Sequence, residues 1–281
     1  MALEYKGPGK GIRYRPMPER EPRESDDDPC FPQPTEQERQ VPLWRYMDLR
    51  KFESLLAKGL HFSRLDRLGD AWEGAMPVGT EAILESFLEA SDDVKPYASA
   101  ARAGWRLDYE SLQKETFVSC WQLSSVELWW MWKVYCKTDK GVAIRTTYGL
   151  LDAWLPRGYQ YECYPLLMGK VQYGSYESHD YSTPLGQRMG LAMSKRDCFQ
   201  DEREVRVLFD HAAGGRDKPG VFVEDVDLNQ IVTSIVVSPV APESFRDEVE
   251  ALVRAGGYQI PVEHSPIRNQ PRPLFRSADR R

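Results

Sequence analysis

Between residues 43 and 264 the apolar positions recur with two periods, and the period assigns the elements. Leu43-Trp44-Arg45-Tyr46-Met47 is a short apolar run that predicts a strand, and Asp48 after it is a good helix N-cap. Leu49, Phe52, Leu55 and Leu56 then form an i, i+3, i+6, i+7 stripe that stops at Gly59, a natural C′ glycine. Leu60-His61-Phe62-Ser63 restarts as a strand, and 68–74 is turn-rich. Thr80–Ala90 predicts an amphipathic helix with Ile83, Leu84, Phe87 and Leu88 facing inward, and a further helix is expected over Val94–Ala103.

Thr116–Trp121, rich in β-branched and aromatic residues, predicts a strand. Ser124 or Ser125 can cap a helix over Val126–Cys136 that is apolar nearly all round and so expected to be buried. Gly141–Arg145 reads as a strand, Thr147–Leu155 as a helix, Val171–Tyr173 as a strand and Leu185–Phe199 as a helix. In the strand expected over Glu202–Phe209, Val205, Val207 and Phe209 share one face and Glu204, Arg206 and Leu208 the other. Val221–Val226, Ile231-Val232 and Ile235–Pro239 read as further strands, and Glu243–Ala255 as a closing helix. Strands and helices without regular βαβ alternation favour α+β: a single domain with a mixed, largely antiparallel split sheet and packed helices.

That unit, 43–264, lies between two segments of different character. Residues 1–42 carry eight prolines and the acidic patch Glu24–Asp28, so they are expected to be extended or disordered. Residues 265–281 hold three prolines and five arginines against one acid, Asp279, which reads as a basic flexible tail. Across all 281 residues, 41% are apolar and 28% charged, ordinary globular proportions that exclude a fibrous or wholly disordered chain. The net charge of −6 argues against broad electrostatic binding of nucleic acid, though a local basic site is compatible with it. No run approaches the roughly 18 to 20 apolar residues that span a bilayer, and Met1–Gly11 has no apolar stretch of a secretory signal. A cytoplasmic protein with no membrane partner is expected.

Candidate chemistry is sparse. There is no glycine-rich phosphate loop and no G-x-S-x-G. Five scattered cysteines and four scattered histidines form no ligand spacing, so no metal is expected, and Cys120 at the end of an apolar strand reads as structural. Asp66, Asp70 and Glu73 have a spacing a metal nuclease could use, but in a turn-rich segment such acids also serve loop hydrogen bonds. Two places stand out. Glu202-Arg203-Glu204 sets two carboxylates about 7 Å apart on one strand face, suited either to orienting a hydroxyl and stabilising a cation or simply to a solvated edge. Arg45, flanked by Trp44 and Tyr46, suits a phosphate or carboxylate, or a structural ion pair.

Four blocks, LWRYMDLRKFESLLAKGLHFSRLDRLGDAWEG, FVSCWQLSSVELWWMWKVYCKTDKGVAIRTT, KRDCFQDEREVRVLF and VDLNQIVTSIVVSPVAP, together resemble the bacterial domain-of-unknown-function family 2971. More distantly, the opening Arg strand, a helix ending in Gly-Leu, a strand ending in Phe-Ser and a late E-x-E strand are similar to the ADP-ribosyltransferase superfamily. That resemblance implies an ADP-ribosyltransferase-like fold and NAD as a substrate, in an enzyme that transfers ADP-ribose or hydrolyses NAD and serves as a bacterial defence or toxin effector. It implies that Arg45 contacts the NAD phosphates, Ser63 orders the site, Glu204 is catalytic and Glu202 is the accompanying acid. Tyr46 or Trp121 could stack on a base, with core packing the alternative for Trp121 and the expectation for Trp129, Trp130 and Trp132. The serine block, Phe62-Ser63-Arg64, departs from the superfamily's Ser-Thr-Ser. The acceptor would be a nucleic acid or protein. The competing reading is a non-catalytic nucleotide, nucleic-acid or protein recognition module on the same scaffold.

Overall fold

The computed structural model describes residues 2–5, 12–15, 31, 34–90, 92–155, 166–178, 188–210, 217–223 and 226–269. In chain order the elements begin with β1 (Ala2–Tyr5), β2 (Ile12–Arg15), α1 (Glu36–Arg39), β3 (Pro42–Asp48), α2 (Leu49–Lys58) and β4 (Leu60–Arg64). The helices α3 (Val78–Ala90) and α4 (Ala98–Glu115) lead to β5 (Thr116–Leu123), α5 (Trp129–Tyr135), β6 (Gly141–Thr147) and α6 (Tyr148–Trp154). Then come β7 (Leu167–Lys170), β8 (Gln172–Gly174), α7 (Arg188–Ala192), β9 (Ser194–Arg196), a 3-10 turn (Asp197–Glu202) and β10 (Glu204–Asp210). The chain continues through β11 (Gly220–Val223), α8 (Leu228–Ile231), β12 (Ser234–Val237), α9 (Glu243–Ala255) and β13 (Val262–His264).

Eleven strands form one open sheet, ordered β1-β2-β11-β4-β5-β3-β6-β12-β13, with β10 and β7 continuing from β5; β8 and β9 pair separately. Most neighbours are antiparallel; the pairs β11–β2, β12–β13 and β8–β9 are parallel. The architecture is therefore mixed α/β with a largely antiparallel sheet, in agreement with the α+β expectation. Helices α2, α6, α8 and α9 bury Phe52, Leu55, Leu151, Leu228, Phe245 and Val249 on one side of it. On the other side α4 and α7 set Leu112 and Ala192 against Val118 and Leu208. Both faces of the central strands are thus covered, which is why β10 is buried through Phe209.

One irregularity matters for function. Along one edge, β5 pairs with β10 from Thr116 to Gln122. Its opposite edge is shared: Phe117 and Val118 pair with β4, whereas Gln122 and Leu123 pair with β3. The registers leave Ser119, Cys120 and Trp121 unmatched on that edge. Strands β3 and β4 consequently diverge, and the sheet forks.

The local signals around the fork act as their chemistry predicts. Asp48 accepts from the Lys51 amide at 2.9 Å as the N-cap of α2, and Gly59 ends that helix at a φ of 88°, open to a residue without Cβ. Elsewhere tertiary contacts override the pattern. The helix expected over Leu185–Phe199 is only Arg188–Ala192 where described, followed by β9, because Lys195 reaches Glu204 on the sheet and Arg196 reaches Asp70 in the turn-rich segment. Glu202 does not share a strand face with Glu204: it ends the 3-10 turn, and Arg203 between them adopts a left-handed conformation at φ 44°. Ile231 belongs to a short helix capped by Asp227 rather than to a strand. Ile83 and Phe87 are exposed, at 40% and 63%, and only Leu88 of the expected inward stripe is fully buried. Trp129 is likewise exposed, with Lys133 over its ring, so α5 buries one side, Met131 and Trp132, and not its whole surface. Within 1–42 the structure describes β1, β2, α1 and a buried Phe31; the tail beyond residue 269 lies outside the described residues.

Candidate functional site

The fork opens a cleft of about 750 Å³ lined from both sides of the sheet. Arg45, Tyr46, Ser63, Trp121, Glu202 and Glu204, the six residues singled out in the sequence, all line it. Arg45 joins the two prongs: its Nη2 donates to the backbone oxygen of His61 on β4 at 2.7 Å, and its guanidinium lies 5.7 Å from the centre of the Trp121 ring. No carboxylate among the described residues pairs with it. Burial of the charge lowers the Arg45 pKa to about 10, which leaves the group a cation at neutral pH. Trp121 is 2% exposed within the core and also forms a wall of the cleft.

Charges are segregated along the cleft. Arg50, Lys51, Arg67 and Lys137 line it as exposed cations, and among the described residues only Arg67 has an acid in reach, Asp66 at 3.9 Å. Its inner end is a buried network. Arg206, fully buried, donates from Nε to Glu204 at 2.8 Å, from Nη2 to Glu73 at 2.7 Å and from Nη1 to the Ala192 oxygen at 2.6 Å. Lys195 contacts Glu202, Glu204 and Glu73 at 2.7, 3.1 and 3.4 Å. Burial raises the Glu204 pKa, but Arg206 and Lys195 outweigh burial and hold it at about 2. Glu204 is therefore a fixed negative charge. Cys120 beside it is pushed well up by burial and by that carboxylate, so it is a neutral thiol and not a nucleophile.

The sequence nominates Glu204 and Glu202 for the site but does not indicate that Glu73, Lys195 and Arg206 hold them together. Arg206 was legible as Glu204's neighbour on one strand face; Glu73 is 133 positions away and gives no local signal. Of the three acids with nuclease spacing, Asp70 holds Arg196, Asp66 holds Arg64, and Glu73 is drawn into the network. No group of three potential metal ligands exists among the described residues.

These groups give stability an acid dependence of calculable sign. Burial, Arg45 and Lys51 lower the His61 pKa from 6.5 to about 4, so the unfolded chain takes up a proton that the folded chain refuses. That contribution is complete above 6.5 and disappears as pH falls to about 4, whereas the Glu204 contribution disappears between 4.5 and about 2. His61→Asn, which keeps the backbone oxygen that Arg45 uses, is expected to flatten the upper part of a plot of Tm against pH and leave the lower part. An unchanged upper slope would assign it to other groups.

No described helix is long and apolar enough to cross a membrane. Comparisons of the chain with protein-family models, curated proteins and solved structures find no match.

Proposed function

We propose that the fork cleft binds NAD and cleaves its nicotinamide–ribose bond, in an enzyme resembling ADP-ribosyltransferases in fold and chemistry. One observation carries this reading: Arg45, Ser63 and Glu204, from three separate strands, line one cleft that runs from a cationic rim to a fixed carboxylate. A volume of about 750 Å³ lies within the usual range for small-molecule sites. Arg45, with no carboxylate partner among the described residues, takes the pyrophosphate by charge-assisted hydrogen bonds, with Lys51 and Arg67 available at the rim. Tyr46 and Trp121 offer ring surface to a base.

Glu204 then faces the ribose. When the bond from C1′ to the ring nitrogen breaks, the electron pair leaves with nicotinamide and positive charge builds on the ribose, as in glycoside cleavage. A carboxylate held ionised by Arg206 and Lys195 stabilises that charge without itself accepting a proton. The acceptor, a nucleic-acid or protein group or water, bonds to C1′ and gives its proton to Glu202 or to solvent. The proposal includes a cytoplasmic setting and a role in bacterial defence or as a toxin.

One feature favours the second reading, a non-catalytic recognition module: both Glu204 oxygens are engaged by cations of the protein. Titration calorimetry with NAD tests the binding step. Arg45→Ala is expected to weaken NAD by roughly ten- to a hundredfold, the range for a lost charge-assisted contact. Folded wild-type protein that does not bind NAD, or an Arg45→Ala variant that binds it equally well, would refute the assignment.

A further inference from the structure

Gln122 stands apart from the other polar groups at the inner end of the cleft. Glu204, Lys195, Arg206 and Glu73 all have partners, but neither the oxygen nor the nitrogen of the Gln122 amide bonds to another protein group among the described residues, although the residue is only 2% exposed. A buried primary amide has two donors and an acceptor to satisfy, and leaving all of them unmet is costly. Packing alone does not call for this residue, since leucine or methionine would fill the space without that penalty.

The position of Gln122 indicates what it is for. On β5 it lies directly opposite Glu204 of β10 on one side and Trp44 of β3 on the other, where the fork closes. It lines the cleft beside the carboxylate assigned to the ribose. Because its amide holds no bond to another described protein group, turning it toward a ligand breaks none within the protein. The neighbouring charges are already engaged with each other, so the free valences here are those of a neutral planar group and suit a partner of the same kind.

Resting on the NAD reading above, we infer that Gln122 recognises the carboxamide of the nicotinamide ring by a pair of hydrogen bonds, one donated and one accepted. The carboxamide is borne by the ring that leaves from C1′, so a reader adjacent to Glu204 is where this contact is needed. Gln122 is a specificity and positioning residue: it sets which pyridine ring enters and how the scissile bond faces Glu204.

The test measures the affinities of wild type and Gln122→Met for three ligands: NAD, its 3-acetylpyridine analogue, in which a methyl group replaces the amide nitrogen, and ADP-ribose, which lacks the ring. Wild type is expected to prefer NAD over the analogue by about tenfold or more, the worth of one neutral hydrogen bond lost with the Gln122 oxygen left unmet at a buried site. Gln122→Met is expected to lose that preference, bind ADP-ribose unchanged, and melt at or above the wild-type temperature because the unmet amide is gone. Retained discrimination in Gln122→Met overturns the inference alone, as does an equal loss for ADP-ribose, which would place Gln122 at another part of the ligand. A lower Tm with unchanged NAD affinity makes Gln122 structural and also overturns it. Wild type that binds none of the three overturns the NAD reading as well.

Discussion

Arg206→Met is expected to destabilise the protein by about 3 to 5 kcal/mol, the cost of removing one partner from a buried ion pair. The guanidinium is fully buried and is shared between Glu204 and Glu73. Without it these carboxylates, 5% and 2% exposed, keep Lys195 as their shared cation among the described residues and gain little water in exchange. The backbone oxygen of Ala192 loses its donor as well. At about 2 to 4 °C per kcal/mol for a chain of this size, Tm should fall by roughly 6 to 20 °C. The loss comes from stranded charge and not from lost packing, so adding Glu204→Gln and Glu73→Gln to Arg206→Met should recover much of it. Urea unfolding of the single and triple variants reads this directly. A single variant within about 1 kcal/mol of wild type would show that the network is solvated, contrary to its burial.

Glu204→Gln is expected to lower NAD turnover by about a hundred- to a thousandfold, the usual loss when one preorganised charge is removed from a developing opposite charge. The KM for NAD should change little, because Arg45 and the rim cations hold the phosphates in both proteins. Glu202→Gln should have a smaller effect, since solvent can accept the same proton. The wild-type pH profile sharpens the distinction. With a pKa of about 2, Glu204 contributes no acidic limb near neutral pH. A comparable fall in affinity and turnover for Glu204→Gln would instead make Glu204 a binding group, as in the recognition module.

The parts of this molecule legible in sequence are those whose cause is local. Asp48, the stripe from Leu49 to Leu56, and Gly59 place α2 to within a residue, because cap, periodicity and stop agree. The alternation through β10 also assigns its faces correctly, Val205, Val207 and Phe209 to one core and Leu208 to the other. What failed depended on distant partners. Lys195 and Arg196 sit in a stretch that reads as helix, and they are drawn into extended backbone by Glu204, Glu202 and Asp70. The left-handed turn at Arg203, which separates Glu202 from the strand, has no glycine or asparagine to announce it. Ile83, Phe87 and Trp129 were misplaced because an apolar period specifies a face but not whether anything covers it.

The same distinction applies to the cleft. Single residues could be nominated from the sequence, Arg45 by its aromatic neighbours and Glu204 by E-x-E. Their convergence depends on β5 dividing one edge between β3 and β4, a tertiary fact with no local signature. Gln122 illustrates the limit most clearly. In sequence it is one polar residue in an apolar strand, and it becomes distinctive only when its neighbours are seen to be bonded and it is not.

The most direct test of the account is to incubate the purified full-length protein with NAD carrying a labelled nicotinamide ring and to follow release of the free ring, with candidate nucleic-acid and protein acceptors present and absent. The account predicts release by wild type and near-complete loss in Glu204→Gln, with both proteins folded and binding NAD with similar affinity. Bound NAD that stays intact with every acceptor, or release that persists in Glu204→Gln, would contradict it.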